Sequence, residues 1–143
     1  MMRNEIIVFF DGAAKGNPGP AGVGVIFFRK DGSVLQEISY FIGTKTNNQA
    51  EYEALITALK RSRDFSSSQI TFYTDSELLF RQMQGRYKVR NAELKKYYQR
   101  AVKMFLAIPE AKLEFVPREE NRNADLLANQ AIRTHLKSQL EKE

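Results

Sequence analysis

The chain begins with EIIVFFD, residues 5–11, which is apolar on both faces and rich in β-branched and aromatic side chains. That is the pattern of a strand buried in the middle of a sheet. GVGVIFFR and VLQEISYFI follow, separated by KDGS, whose Asp31-Gly32 pair signals a hairpin, so three antiparallel strands are predicted. In NNQAEYEALITALKRS the period lengthens: Glu51, Leu55, Ala58 and Leu59 share one helical stripe, with Asn48 placed as its N-cap. The polar cluster DFSSSQ reads as a turn into QITFYTD, a strand ending on Asp75. SELLFRQMQG reads as a short helix closed by Gly85, and NAELKKYYQRAVKMFLAI as a longer one stopped near Pro109. AKLEFVP is a last strand and NADLLANQAIRTHLKSQL a last helix. The order βββαβααβα predicts an α/β fold, a mixed five-stranded sheet with helices on both faces.

Composition narrows the chemistry. A length of 143 residues suits one domain, and 43% hydrophobic with 27% charged residues is ordinary for a globular protein. No apolar run approaches the ~20 residues that span a bilayer, and MMRNEIIVFFDG enters a strand without a signal-peptide cleavage site, so a cytoplasmic location is expected. With no cysteine and His135 as the one histidine, disulfides, thiolate catalysis and Cys- or His-rich metal sites are excluded. Hard oxygen ligands remain. The net charge of +5 suits an anionic partner, nucleic acid first, although mild basicity serves solubility equally well.

Four carboxylates stand out by position. Asp11 and Asp75 close strands at the edge where ligand crevices form in open α/β sheets, and Glu51 and Asp125 stand in first turns of helices, on or beside the apolar stripe. Each has an ordinary structural alternative. Asn48 and Glu51 have capping-box spacing, Asp75 can cap the helix at SELLF, Asp125 favours the positive end of a helix dipole, and Asp11 can initiate a turn. Together they point elsewhere, because converging like charges repel unless a cation holds them. Such an all-oxygen site suits Mg²⁺ or Mn²⁺, with room for two ions about 3.5–4 Å apart astride a scissile phosphate.

The segments DGAAKGNPGPAGVGVI, TNNQAEYEALITAL, TDSELLFRQMQG and VPREENRNADLLANQAI resemble, in order and spacing, the four motifs of type 1 ribonuclease H. The resemblance implies a ribonuclease H-like domain over residues 1–135. It also implies Mg²⁺-dependent endonucleolytic cleavage of the RNA strand of RNA–DNA hybrids, giving 3′-hydroxyl and 5′-phosphate ends. The catalytic, metal-holding carboxylates then fall on Asp11, Glu51, Asp75 and Asp125, with two ions when substrate is bound. Gly12, Ala14, Gly16 and Asn17 match the RNA-strand contact. Thr46, Asn47, Asn48 and Gln49 match a run touching bases, sugars and a DNA phosphate, and Asn91 another DNA-phosphate contact. Helix capping by the asparagines is an equal and compatible reading. No obligate protein partner is implied, and a monomer is expected.

This sequence departs from that pattern in three places. PREENRNAD carries no histidine before the last aspartate; Arg118, ahead of Glu119, is the substitute, able to steady a phosphate but not to carry a proton. His135, far down the last helix, is assigned no catalytic part. QGRYKVRN joins two helices directly where some members insert a basic handle, leaving Arg86, Lys88, Arg90, Lys95 and Lys96 for binding. The tail, residues 136–143, either extends the last helix or frays. The competing readings are a related nuclease acting on DNA, which leaves DGAAKGNPGPAG and TNNQAEYEAL unexplained, and an inert hybrid-binding module, which has no reason to keep four carboxylates.

Overall fold

A computed structural model describes residues 4–65 and 69–142 of the chain. The elements are β1 (Glu5–Ala14), β2 (Gly19–Arg29), β3 (Val34–Lys45), α1 (Asn47–Arg61), β4 (Gln69–Thr74), α2 (Glu77–Met83), α3 (Ala92–Leu106), β5 (Ala111–Phe115) and α4 (Arg122–Glu141). Short 3-10 turns follow α1 and precede α4. The five strands form one mixed sheet in the order β3-β2-β1-β4-β5. β1, β2 and β3 pair antiparallel, whereas β4 runs parallel to both β1 and β5. The predicted element order and sheet are those observed. Ser66–Ser68, the centre of the expected DFSSSQ turn, lie outside the described residues.

Alternation along the strands sorts the two faces. Val8 and Phe10 of β1, Val23, Val25 and Phe27 of β2 and Phe72 of β4 are fully buried against Tyr52, Leu55 and Leu59 of α1, with Leu94 and Ala101 of α3 completing this core. α4 covers the other face, and small residues on both sides let it sit directly on the sheet. A Cβ on Gly24 would lie 2.1 Å from the Ala124 carbonyl oxygen, and one on Gly22 2.4 Å from that of Ala128. Both contacts are backbone and cannot be relieved by a rotamer change. Gly24→Ala is therefore expected to cost about 1–3 kcal/mol in urea denaturation, as overpacking does, and to lower activity by lifting the helix that carries Asp125.

Three local readings fail. β1 does not stop at Asp11; its ladder with β2 continues to Ala14↔Ala21, while its pairing with β4 ends at Phe9↔Tyr73. Asp11 thus sits inside a strand, at the point where β4 falls away and opens one side of β1. α1 is capped by Thr46 rather than Asn48. The Thr46 hydroxyl accepts from the Gln49 amide at 3.1 Å, and the Gln49 side chain accepts from the Thr46 amide at 3.0 Å, a complete capping box. The carboxylate of Glu51 is free for another purpose. Likewise Ser76, not Asp75, caps α2 through the Leu79 amide at 3.2 Å. Asn91 does cap α3, accepting from the Leu94 amide at 2.9 Å. α4 continues unbroken through Leu136 to Glu141.

Candidate active site

A cleft of about 370 Å³ opens beside Asp11, bordered by Glu51, Asp75, Asp125, Asn47, Arg118 and Asn129. Within it, carboxylate oxygens of Asp11, Glu51 and Asp75 all lie within 4.8 Å of one another, close enough to share a metal ion. Asp125 stands on the wall of the same cleft. The four predicted carboxylates are therefore together, each delivered by a different element.

The local sequence explains how. A Cβ on Gly12 would lie 2.1 Å from the Ala50 carbonyl, so only glycine lets the first turn of α1 close on β1. That approach brings Glu51 Oε1 to 2.6 Å from the Gly12 amide, a charge-assisted bond that fixes the carboxylate beside Asp11. The loop after β1 is tied to the same helix end. The Asn47 side chain accepts from the Ala14 backbone amide at 3.2 Å, and the Asn47 backbone N–H donates to Asn17 Oδ1 at 3.0 Å. Gly16, with φ +96°, takes a turn that side chains resist. Asp75 follows directly on β4, and Asp125 is held by Asn129 one turn on, whose amide donates to its Oδ1 at 3.1 Å.

Concentrated negative charge shows in the protonation of the site. Burial, then the neighbouring Glu51 and Asp75, push the Asp11 carboxyl up to about 11. Burial likewise raises Glu51 to about 7, against the pull of its bonds to Asp11 and the Gly12 amide. Asp75 is raised by burial and drawn back by the Asn121 amide and the Arg118 guanidinium. Left to themselves, Asp11 and Glu51 hold protons that solvent-exposed carboxyls lose well below neutrality. A divalent cation removes that penalty, and hard carboxylate oxygens are donors suited to it. The cluster is compatible with metal binding.

Two residues that sequence reasoning passed over belong here. Asn129 braces Asp125 from the same helical face. Asn121 is 1% exposed, and its amide donates to the Phe10 carbonyl at 2.9 Å, linking the start of α4 to the strand residue before Asp11. Its Oδ1 is buried without a partner among the described residues. Spacing from Asp125 was the available signal for both: one lies four residues before it and the other four after. Asn121→Leu should cost about 1–3 kcal/mol in denaturant unfolding, since it strands the buried Phe10 carbonyl and removes a hydrogen bond to Asp75.

The other expected contacts divide between two places. Gly12, Ala14 and Asn47 border the carboxylate cleft, while Asn17, Thr46, Asn48, Gln49 and Asn91 border a second hollow of about 310 Å³. Arg86, Lys88, Arg90, Lys95 and Lys96 are all exposed, and Lys96 pairs with Glu93 at 3.3 Å. His135 stacks on Phe41 at 3.6 Å between ring centres and borders a separate hollow with Ser39. Among the described residues no helix is long and apolar enough to cross a membrane.

Known proteins match both chain and fold. Residues 9–131 match the family described as Reverse transcriptase-like. Ribonuclease HI of Halobacterium salinarum is 40% identical over 128 residues, which make up 90% of this chain and 64% of that protein. The Bifunctional protein Rv2228c of Mycobacterium tuberculosis is 39% identical over 129 residues, 90% of this chain but 35% of that one, so the chain spans only part of these relatives. LC11-RNase H1, isolated from compost, superposes with a TM-score of 0.89 at 43% identity over 93% of this chain and 99% of that one. The same enzyme has been solved in complex with an RNA/DNA hybrid, where the TM-score is 0.86. With four motifs in order, the strand order β3-β2-β1-β4-β5 and its carboxylates gathered where β1 and β4 part, the chain belongs to the type 1 ribonuclease H family.

Proposed function

We propose that the protein is an endonuclease that hydrolyses the RNA strand of RNA–DNA hybrids, with Mg²⁺ or Mn²⁺ held by Asp11, Glu51, Asp75 and Asp125. The observation that carries this reading is the approach of three carboxylates to within 4.8 Å in a basic chain. Such a cluster offers hard oxygen donors and no thiolate or imidazole, which fits two divalent ions better than any softer metal. Bound there, the ions would activate the attacking water and neutralise the charge that builds on the scissile phosphate.

The side chains supply the framework. Glu51, pinned by the Gly12 amide, and Asp75, drawn down by Asn121 and Arg118, present fixed donors on rigid elements. A water oxygen attacks phosphorus and the P–O3′ bond breaks; O3′ takes up a proton, leaving a 3′-hydroxyl, and the phosphate stays on the 5′ end of the downstream fragment. Arg118, exposed on the rim, meets the reacting or departing phosphate and steadies it through its guanidinium. Backbone from Gly12 to Gly16, with Asn17, approaches the minor groove, where 2′-hydroxyls mark RNA. Thr46, Asn48, Gln49 and Asn91 face the partner strand. The domain acts as a monomer without an obligate protein partner, in the cytoplasm.

The test presents end-labelled hybrid, duplex RNA and duplex DNA in Mg²⁺, Mn²⁺ or EDTA. Cleavage confined to the RNA strand of the hybrid, dependent on metal and leaving 5′-phosphates, is expected. Cleavage of duplex DNA alone would favour the related DNA nuclease, and binding without cleavage the inert module.

A further inference from the structure

A further hollow, about 560 Å³ in volume, adjoins the carboxylate cleft at the start of α4 and is lined by Arg118, Glu119, Arg122, Asp125 and Leu126. It shares Arg118 and Asp125 with the cleft, whereas Gly12, Ala14 and Asn47 border the cleft alone. The carboxylates thus stand between the loop after β1 on one side and this hollow on the other. A strand that passes the loop and reacts at the carboxylates runs on into the hollow, so the strand that is cut is the one that meets it.

Two side chains on its wall gain little from the fold. Arg122 is the first residue of α4, where the positive end of the helix dipole disfavours a cation. It is exposed and, among the described residues, its side chain makes no hydrogen bond or ion pair. Leu126 is 58% exposed, although it directly follows Asp125. Either alone is ordinary on a protein surface. Side by side they match the two parts of a nucleotide, a guanidinium for the phosphate and an apolar group for the sugar face. A free anion would use the guanidinium alone. The volume is that of sites holding a small ligand, about 300–1,000 Å³. Glu119 repels phosphate at the same rim, which leaves Arg118 and Arg122 as the cationic side of the hollow.

We propose that Arg122 and Leu126 bind the nucleotide next to the scissile one in the RNA strand, Arg122 through its phosphate and Leu126 against its sugar. This rests on the hybrid-cleaving reading above. It gives the cut strand a second hold at the first turn of α4, across the carboxylates from the loop after β1.

The test measures hybrid affinity by fluorescence anisotropy in Mg²⁺, with Asp75→Asn as a common background so that nothing is cut, and KM and kcat without that background. Arg122→Gln is expected to weaken binding about tenfold, the loss of one charge-assisted contact, and to raise KM by a similar factor with little change in kcat. The salt dependence of log affinity should fall by about 0.7–0.9, one phosphate's share. Arg122→Lys should recover much of the loss. Leu126→Ala should weaken binding about threefold and leave the salt slope unchanged. A single neutral methylphosphonate is carried on a 2′-O-methyl nucleotide and walked along the RNA strand, against the same nucleotide with an ordinary phosphate. It should weaken the background protein at one position beside the cut and leave Arg122→Gln unaffected there. Because a cation leaves the positive end of α4, Arg122→Gln should melt no lower than its parent. If its affinity, KM and salt slope stay as in the parent, Arg122 is a solvated surface charge and the proposal fails. It fails equally if the position of lost sensitivity lies in the DNA strand, walked in the same way. A wild type that binds hybrid without cutting it counts against the preceding section, and the affinity comparison still decides this one.

Discussion

Asp11→Asn is expected to abolish hybrid cleavage to within the limits of assay, a fall in kcat of at least about 10³-fold, while the metal-free protein becomes more stable at pH 8. Both halves follow from one fact. Asp11 is 5% exposed, inside a strand, and stands against Glu51 and Asp75. Its negative charge is unwelcome to the fold unless a cation is present. Asparagine keeps the shape and spares the fold the proton that Asp11 must take up above its unfolded value, so folding gains by at least about 1–3 kcal/mol. The proposed metal site loses one of its carboxylates. Measured by chemical denaturation and single-turnover cleavage, a variant that is both less stable and still active would mean that Asp11 serves the fold alone.

The second large effect is a pH-dependent stability that metal reverses. Asp11 and Glu51 have folded-state values raised to about 11 and about 7, above the 3.8 and 4.5 of exposed carboxyls. The folded protein therefore binds protons more tightly than the unfolded chain. Their stabilisation is complete below the unfolded values and is lost as pH rises toward the folded ones. Between pH 5 and 7 both groups contribute, so the metal-free protein should lose about 1 kcal/mol or more per pH unit from this pair. Above pH 7 the Asp11 contribution continues alone. Divalent metal needs both carboxylates ionised, so Mg²⁺ should flatten the slope and release protons on binding. Calorimetry of Mg²⁺ or Mn²⁺ binding in two buffers of different ionisation enthalpy reads that release; none at pH 7 would contradict a metal at this pair.

Much of this was legible in the chain, for physical reasons that differ by element. β1 reads as a central strand because it is apolar on both faces: Val8 and Phe10 pack under α1, while Phe9 on the other, half-buried face packs against Phe28 and Tyr73. The helices read from their period. What failed was local choice among equals. Thr46, Asn47, Asn48 and Gln49 include three good N-caps in succession, and the one used was decided by Asn47 being taken up by the loop at Ala14 and Asn17. Strand ends were misjudged for a similar reason. Asp11 looks like an end because a charge breaks the apolar run, yet β2 supplies a ladder partner as far as Ala21. Asn121 and Asn129 escape the sequence because what they do depends on their contacts, 111 residues away for the first and one helical turn away for the second. Gly22 and Gly24 look like strand weaknesses until α4 is seen lying on them.

The claim at the centre is that carboxylates from β1, α1, β4 and α4 act as one metal-dependent catalytic group on an RNA–DNA hybrid. Its most direct test is cleavage of a hybrid with a 5′-labelled RNA strand by wild type and Asp75→Asn at equal enzyme and saturating substrate, with Mg²⁺ titrated from EDTA upward. Wild type is expected to cleave the RNA in a Mg²⁺-dependent way, and Asp75→Asn to lose at least about 10³-fold in rate, which added Mg²⁺ does not restore, while hybrid binding persists. Cleavage by Asp75→Asn at the wild-type rate, or by wild type in EDTA, would contradict it.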